Sequence, residues 1–267
     1  FFFFSFFSYV FVYLGIRRYT SKAMLPLILY ILISSLFLSS LCYVRQYLSI
    51  AISFYAFSHL LDKKYVVYSL WMLLGISIHY SCLFPFVVFW VVFRWGMIMK
   101  NHYLYLAIVF SFLIGQIGVI NWLSLLFKDS HYLYYFSKTA IAVPLLKLIV
   151  LNITCLFIIK YYDKYESEYR HQRILVLCYF FSVFFINLFT ESRELARLCI
   201  YFRIFEIVLV AQIINSFLLK KTFWLPIIIC FFYLFPYFKA IKTDSESSIP
   251  AESKLIPYKS LLFKNIQ

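Results

Sequence analysis

Apolar runs fall at about 1–16, 23–44, 46–61, 65–93, 103–127, 141–159, 174–190, 198–219 and 222–238, with only short polar punctuation between them. Runs of this length match what is needed to cross a hydrocarbon layer about 30 Å thick, which takes about 20 helical residues. Inside lipid every backbone N–H and C=O must be paired within the protein, so only helices and closed barrels span it. Barrel strands would alternate polar and apolar residues in pieces of about ten, and these runs do not alternate. The expected fold is therefore all-α, a polytopic integral membrane protein. Composition agrees: 64% of residues are hydrophobic and 13% charged, against about 25% charged in a soluble domain. No internal repeat or long linker is visible, so residues 1–238 read as a single transmembrane helical domain. Residues 239–267 mix Lys, Ser, Glu and Pro and read as an exposed, poorly ordered tail. The chain opens at Phe1 inside an apolar run and is read as N-terminally truncated. A signal peptide would need a basic region before that run and small residues after it.

The formal charge of +14 is not a nucleic-acid signal in such a chain, because excess Lys and Arg collect in short cytoplasmic loops. That rule resolves the run 65–93, which is long for one span and short for two. As two short helices meeting near His79, it places Arg17, Arg18, Lys22, Lys63, Lys64, Arg94, Lys100, Lys160, Lys164, Arg170, Arg173, Lys220 and Lys221 on one side. Arg45, Lys128, Lys138, Arg193 and Arg197 fall on the other. As one helix, the same cations divide evenly. The two-helix reading gives about ten spans, with the cation-rich loops in the cytoplasm. Arg45, His79, Arg193, Glu194 and Arg197 then share the outer level, where polar groups beside short helices line cavities.

Each of these residues has a plain role beside a chemical one. Arg45-Gln46 interrupts an apolar stretch. Arg45 either snorkels to lipid headgroups or grips a phosphate with its fixed, always-charged fork. Ser49 and Ser53 follow at helical spacing and extend a polar stripe. His79, with Tyr80 and Ser81, either caps a helix end or acts as a general base or hydrogen-bond donor. Glu194, Arg197 and Tyr201 stand at i, i+3 and i+7 and share a helical face. They form either a structural pair at a helix start or part of a site. Arg203 and Glu206 are also i, i+3, and fit two buried charges neutralising each other. Lys147 snorkels near its helix end. Cysteines 42, 82, 155, 178, 199 and 230 have no metal spacing and read as small buried hydrophobes. No Walker motif, HExxH or Gly-rich phosphate loop is present, so ATP-driven transport is not expected.

From Tyr43 to Trp90 the sequence reads YVRQYLSIAISFYAFSHLLDKKYVVYSLWMLLGISIHYSCLFPFVVFW. It resembles the EpsG-type polysaccharide polymerases, which are Wzy-like. Their pattern is Arg-Gln, a small and apolar helix, a basic cytoplasmic turn, another helix, then His-x-Ser. Arg45, Gln46, Lys63, Lys64, His79 and Ser81 occupy those places. Arg197-Leu-Cys-Ile-Tyr201-Phe202 is similar to the family's late Arg-Leu-x-x-Tyr-Phe helix. The family's preceding outer loop with a Gly-Thr-Asp-Tyr-like motif is not in this sequence, and Arg203 and Glu206 fall outside the pattern.

The resemblance implies a GT-C-like membrane glycosyltransferase at the outer face of the bacterial cytoplasmic membrane. It would polymerise oligosaccharide repeat units carried on undecaprenyl diphosphate, for O-antigen, capsule or exopolysaccharide. The catalytic candidates are Arg45 and Arg197 for charge developing on the leaving diphosphate, and His79 or Glu194 as base for the acceptor hydroxyl. The substrate-binding candidates are Arg45, Gln46, Ser81, Arg193, Arg197, Tyr201 and Arg203. No metal or other cofactor is expected. The partners are the lipid-linked donor and acceptor, membrane lipid, and a chain-length regulator and flippase, with no nucleic acid. A lipid-linked oligosaccharide flippase and an O-antigen-ligase-like transferase remain alternatives. A flippase would carry internal repeats and midplane polar groups, whereas here they gather at one face.

Overall fold

The computed structural model describes residues 2–118, 143–163, 170–219 and 224–246. Among them the fold is helical, with no strand. Helices α1 (Phe2–Tyr19), α2 (Met24–Leu32), α3 (Ser34–Cys42), α4 (Val44–Leu61) and α5 (Tyr65–Ile78) lead to a short 3₁₀ turn at Tyr80–Cys82. There follow α6 (Leu83–Trp95), α7 (Asn101–Ile117), α8 (Leu145–Asp163) and α9 (Arg170–Leu188). The segments α10 (Arg193–Leu198), α11 (Ile200–Arg203) and α12 (Glu206–Leu219) form one interrupted rod before α13 (Trp224–Glu246). Leu145–Asp163, His171–Leu188 and Leu195–Leu219 are each long and apolar enough to cross a membrane. Large apolar side chains such as Phe2 (75% exposed), Leu70 (62%) and Phe231 (67%) point outward. That outer surface suits lipid and not water.

The run 65–93 is divided as expected. His79 adopts an extended backbone between α5 and α6, and the two helices return side by side with Tyr68 stacked on Phe86. The run 23–44 is not one rod. It bends by 68° between α2 and α3 at Ile33, where ψ is 93°. The last run also differs from expectation. Helix α13 continues to Glu246, past the expected tail boundary at Lys239, because Lys-Ala-Ile-Lys-Thr-Asp-Ser-Glu contains no Gly or Pro to stop it. The rest of that tail, and Lys128, Lys138, Lys164, Lys220 and Lys221, lie outside the described residues.

Helix α4 is the axis of the bundle. Gln46, Ser49, Ser53, Ser58 and His59 are buried along it with their apolar neighbours. Polar side chains in a membrane bundle turn toward other helices rather than lipid. Helix α1 lies along α4 with matching ends. Tyr19 donates to the Phe54 carbonyl at 2.7 Å, and Arg18 pairs with Asp62. A ring cluster ties α4 to later helices, with Phe57 and Phe89 centroids 4.5 Å apart and Phe54 and Phe205 5.2 Å apart.

Polar contacts sort to the two ends of the bundle. At one end stand Arg18 with Asp62, and Arg173 with Asn101 and the Met99 carbonyl. At the other stand Arg197 with Tyr43, His79 with Ser81, and Val143 donating to Thr190. Toward this second end, Asn152 and Asn187 exchange amide bonds of 2.9 and 2.8 Å, and Asn187 also donates to Ser111. This clasp joins α7, α8 and α9.

Candidate active site

The break after α5 creates the site. The N–H of His79 caps its helix on the Gly75 carbonyl at 3.0 Å, and the backbone then turns extended. That turn carries the imidazole out of the helix and toward Ser81, whose hydroxyl lies 2.6 Å from Nδ1. The Ser81 hydroxyl is 2.9 Å from the Tyr201 phenol. Tyr201 in turn donates to Ser49 at 3.1 Å, and Ser49 donates to the Gly75 carbonyl at 2.9 Å. A Cβ on residue 75 would stand 2.9 Å from the Cys82 sulfur, so Gly75 lets the start of α6 pack close to α5. Tyr80 stacks nearly parallel to the imidazole, with centroids 5.5 Å apart.

Two guanidinium groups flank this chain. Arg197 lies over the Tyr43 ring at 4.1 Å and donates to its hydroxyl at 2.8 Å, a stack that suits a planar cation. Arg45 is exposed at the start of α4. Burial lowers the His79 pKa from the ordinary histidine value, and the charges of Arg45 and Arg197 lower it further. The imidazole is therefore neutral near physiological pH while standing among cations. Neutral imidazole with an available nitrogen is a proton acceptor, and fixed guanidinium groups attract an anion. The arrangement can bind a phosphate and take a proton beside it.

The structure brings together Arg45, His79, Ser81, Arg197 and Tyr201, which come from separate parts of the chain. Gln46 is buried at the start of α4, next to Arg45. The side chains of Arg193 and Glu194 lie outside the described residues. Arg203 stands apart from His79: its Nε is 3.0 Å from Glu206, which is 1% exposed, and Tyr233 donates to the same carboxylate at 2.6 Å. The expected mutual neutralisation of this pair is thus present. Ser49, expected to extend a polar stripe behind Arg45, does join the polar chain, whereas Tyr43 as a platform for Arg197 and the Gly75 carbonyl as the end of the chain were not identified from the sequence. Spacing gives no sign of a platform that lies 154 residues away.

Beside the Arg203–Glu206 pair lies a cavity of about 670 Å³. The bend of α2 into α3 forms one wall, and α8 and α13 form others. Its lining is mainly Leu, Ile, Val, Phe and Pro, with Lys147, Arg203 and Lys239 contributing cations and Glu206 the carboxylate.

No curated protein and no solved structure matches the chain. The EpsG family profile matches residues 1–260, which takes in every element of the polar site and of the cavity. By that match the chain belongs to the EpsG family.

Proposed function

We propose that this protein is a membrane glycosyltransferase that polymerises oligosaccharide repeat units carried on undecaprenyl diphosphate. Membership of the EpsG family supports a polysaccharide polymerase-type role. The observation that carries the reading is the convergence of Arg45, Arg197 and a neutral His79 at one end of an apolar bundle. In this reading the rods and bent pairs cross the bacterial cytoplasmic membrane about ten times in a GT-C-like arrangement. The site faces outward, opposite the cation-rich loops.

The chemistry follows from the substrates. The anomeric carbon of the growing chain is bonded to a lipid diphosphate oxygen. A hydroxyl of the fresh unit attacks that carbon, and the carbon–oxygen bond to the diphosphate breaks. His79 takes the hydroxyl proton, while Arg45 and Arg197 stabilise negative charge as it grows on the departing diphosphate. A lipid carrier also needs apolar surface beside its headgroup. The cavity walled by α2, α3, α8 and α13 is apolar surface of that kind, beside the Arg203–Glu206 pair and with Lys147 and Lys239 in its lining.

Arg45→Ala, Arg197→Ala and His79→Ala should each insert normally yet leave polymer at single repeat units, read as the length ladder of the extracted polysaccharide. Wild-type ladders in all three variants would overturn the assignment. Repeat units trapped on the cytoplasmic side would indicate a flippase instead.

A further inference from the structure

Four hydroxyl and imidazole contacts end on a group that can only accept. The Gly75 carbonyl has no proton, so the 2.9 Å contact from Ser49 requires Ser49 to donate. A serine has one hydroxyl proton, so toward Tyr201 at 3.1 Å Ser49 must accept. The phenol proton is thereby spent. At 2.9 Å Ser81 must then donate to Tyr201. With that proton used, the 2.6 Å contact between Ser81 and His79 Nδ1 requires the imidazole to donate.

We infer that Ser81, Tyr201 and Ser49 are positioning residues, forming a relay anchored on the Gly75 carbonyl that holds His79 as the Nδ1–H tautomer and leaves Nε2 to accept a proton. The relay runs through residues distant in sequence, from α4, α5, the 3₁₀ turn and α11, so packing of the bundle enforces it. The groups facing His79 are Arg45 from α4, Arg197 from α10, the adjacent Tyr80 ring, Ser81 and, through Ser81, Tyr201. Among the described residues, the charges that act on its titration are those of Arg45 and Arg197, and neither is an anion. When Nε2 takes a proton, Nδ1–H keeps the same partner and no hydroxyl has to turn. The base is thus organised before the acceptor arrives. The tautomer stands on geometry alone; its use in catalysis rests on the glycosyltransferase reading above.

The test is ¹⁵N spectroscopy of histidine-labelled, full-length protein in lipid nanodiscs without substrate, near pH 8. The His79 signal is assigned by its loss in His79→Gln. The wild type should show a protonated Nδ1 and a bare Nε2. In Ser49→Ala the Tyr201 phenol loses its acceptor and turns to Ser81, and Ser81 turns to His79. The proton should then move to Nε2. Tyr201→Phe frees the Ser81 hydroxyl and should give a mixture of tautomers. A wild-type protein protonated on Nε2 would overturn the inference, as would Ser49→Ala with an unchanged tautomer and an unchanged thermal midpoint. In a polymer assay Ser49→Ala should lose about 10²-fold in chain extension, at the low end of a general base's contribution. A shifted tautomer with undiminished extension would leave the relay standing and remove the catalytic reading of His79.

Discussion

His79 shows how one side chain can be made a base by its surroundings. Burial and the charges of Arg45 and Arg197 all disfavour imidazolium, so its pKa lies below the ordinary value of about 6.5. The sign follows directly. At neutral pH Nε2 is unprotonated, and activity should fall only when the pH drops through that lowered pKa. The same depression means the unfolded chain binds this proton more readily than the folded one. The contribution to stability is therefore present above about pH 6.5 and lost as the pH falls toward the folded pKa. Arg197→Gln removes one cation and should move the acidic limb of the rate profile upward, toward pH of about 6.5. An NMR titration of His79 should move with it, and an unmoved midpoint would mean Arg197 does not act on the imidazole. At this scale the sequence was partly legible. Arg45, His79 and Arg197 stood out because charged and titratable groups are rare in apolar runs. Ser49 was legible only as part of a polar stripe behind Arg45, and Tyr43 was not legible at all, because this chain contains 24 tyrosines. The Gly75 carbonyl carries no side-chain signal at all.

Two elements depend on backbone geometry that side chains alone would not suggest. Helices α7 and α9 meet where Gly115 faces the backbone of Asn187. A Cβ on residue 115 would sit 1.8 Å from the Asn187 carbonyl oxygen. Backbone cannot swing aside as a side chain can, so Gly115→Ala should separate the helices and loosen the clasp between Asn152 and Asn187. A loss of about 3 kcal/mol, the upper part of the overpacking range, should appear in reversible unfolding in detergent. The end of α4 makes the opposite case. Lys63 has a φ of 61°, and the bonds Lys64 to His59 and Lys63 to Leu60 close a Schellman turn. That left-handed position favours glycine, so Lys63→Gly should raise stability by about 1 kcal/mol, read as a higher unfolding midpoint. The paired helices of the run 65–93 were legible because charge placement rejected a single rod. The bend at Ile33 was not, because no Gly or Pro marks it and hydropathy continues unbroken through both halves.

For the whole molecule, the decisive property is the sorting of polar groups to two ends, because it links fold, orientation and chemistry. Arg18 with Asp62 and Arg173 with Asn101 occupy one end, beside the turn that carries Lys63 and Lys64. His79, Arg197 and Tyr43 occupy the other. Cations in short loops are retained in the cytoplasm, so the His79 end should face outward, where a lipid-linked sugar already moved across the membrane would meet it. Single cysteines in a background lacking the native thiols test this directly. Arg45→Cys and Tyr80→Cys replace exposed residues at the site end, and Lys63→Cys and Lys100→Cys replace exposed residues at the other. On intact cells a membrane-impermeant maleimide should label positions 45 and 80 and spare 63 and 100, while permeabilised cells should label all four. Labelling of 63 and 100 alone would invert the molecule and place the arginines and histidine on the side where no exported chain is extended. Labelling of 45 without 80 would separate α4 from the helix break, and the convergence on which the glycosyl-transfer chemistry depends would not exist in the membrane.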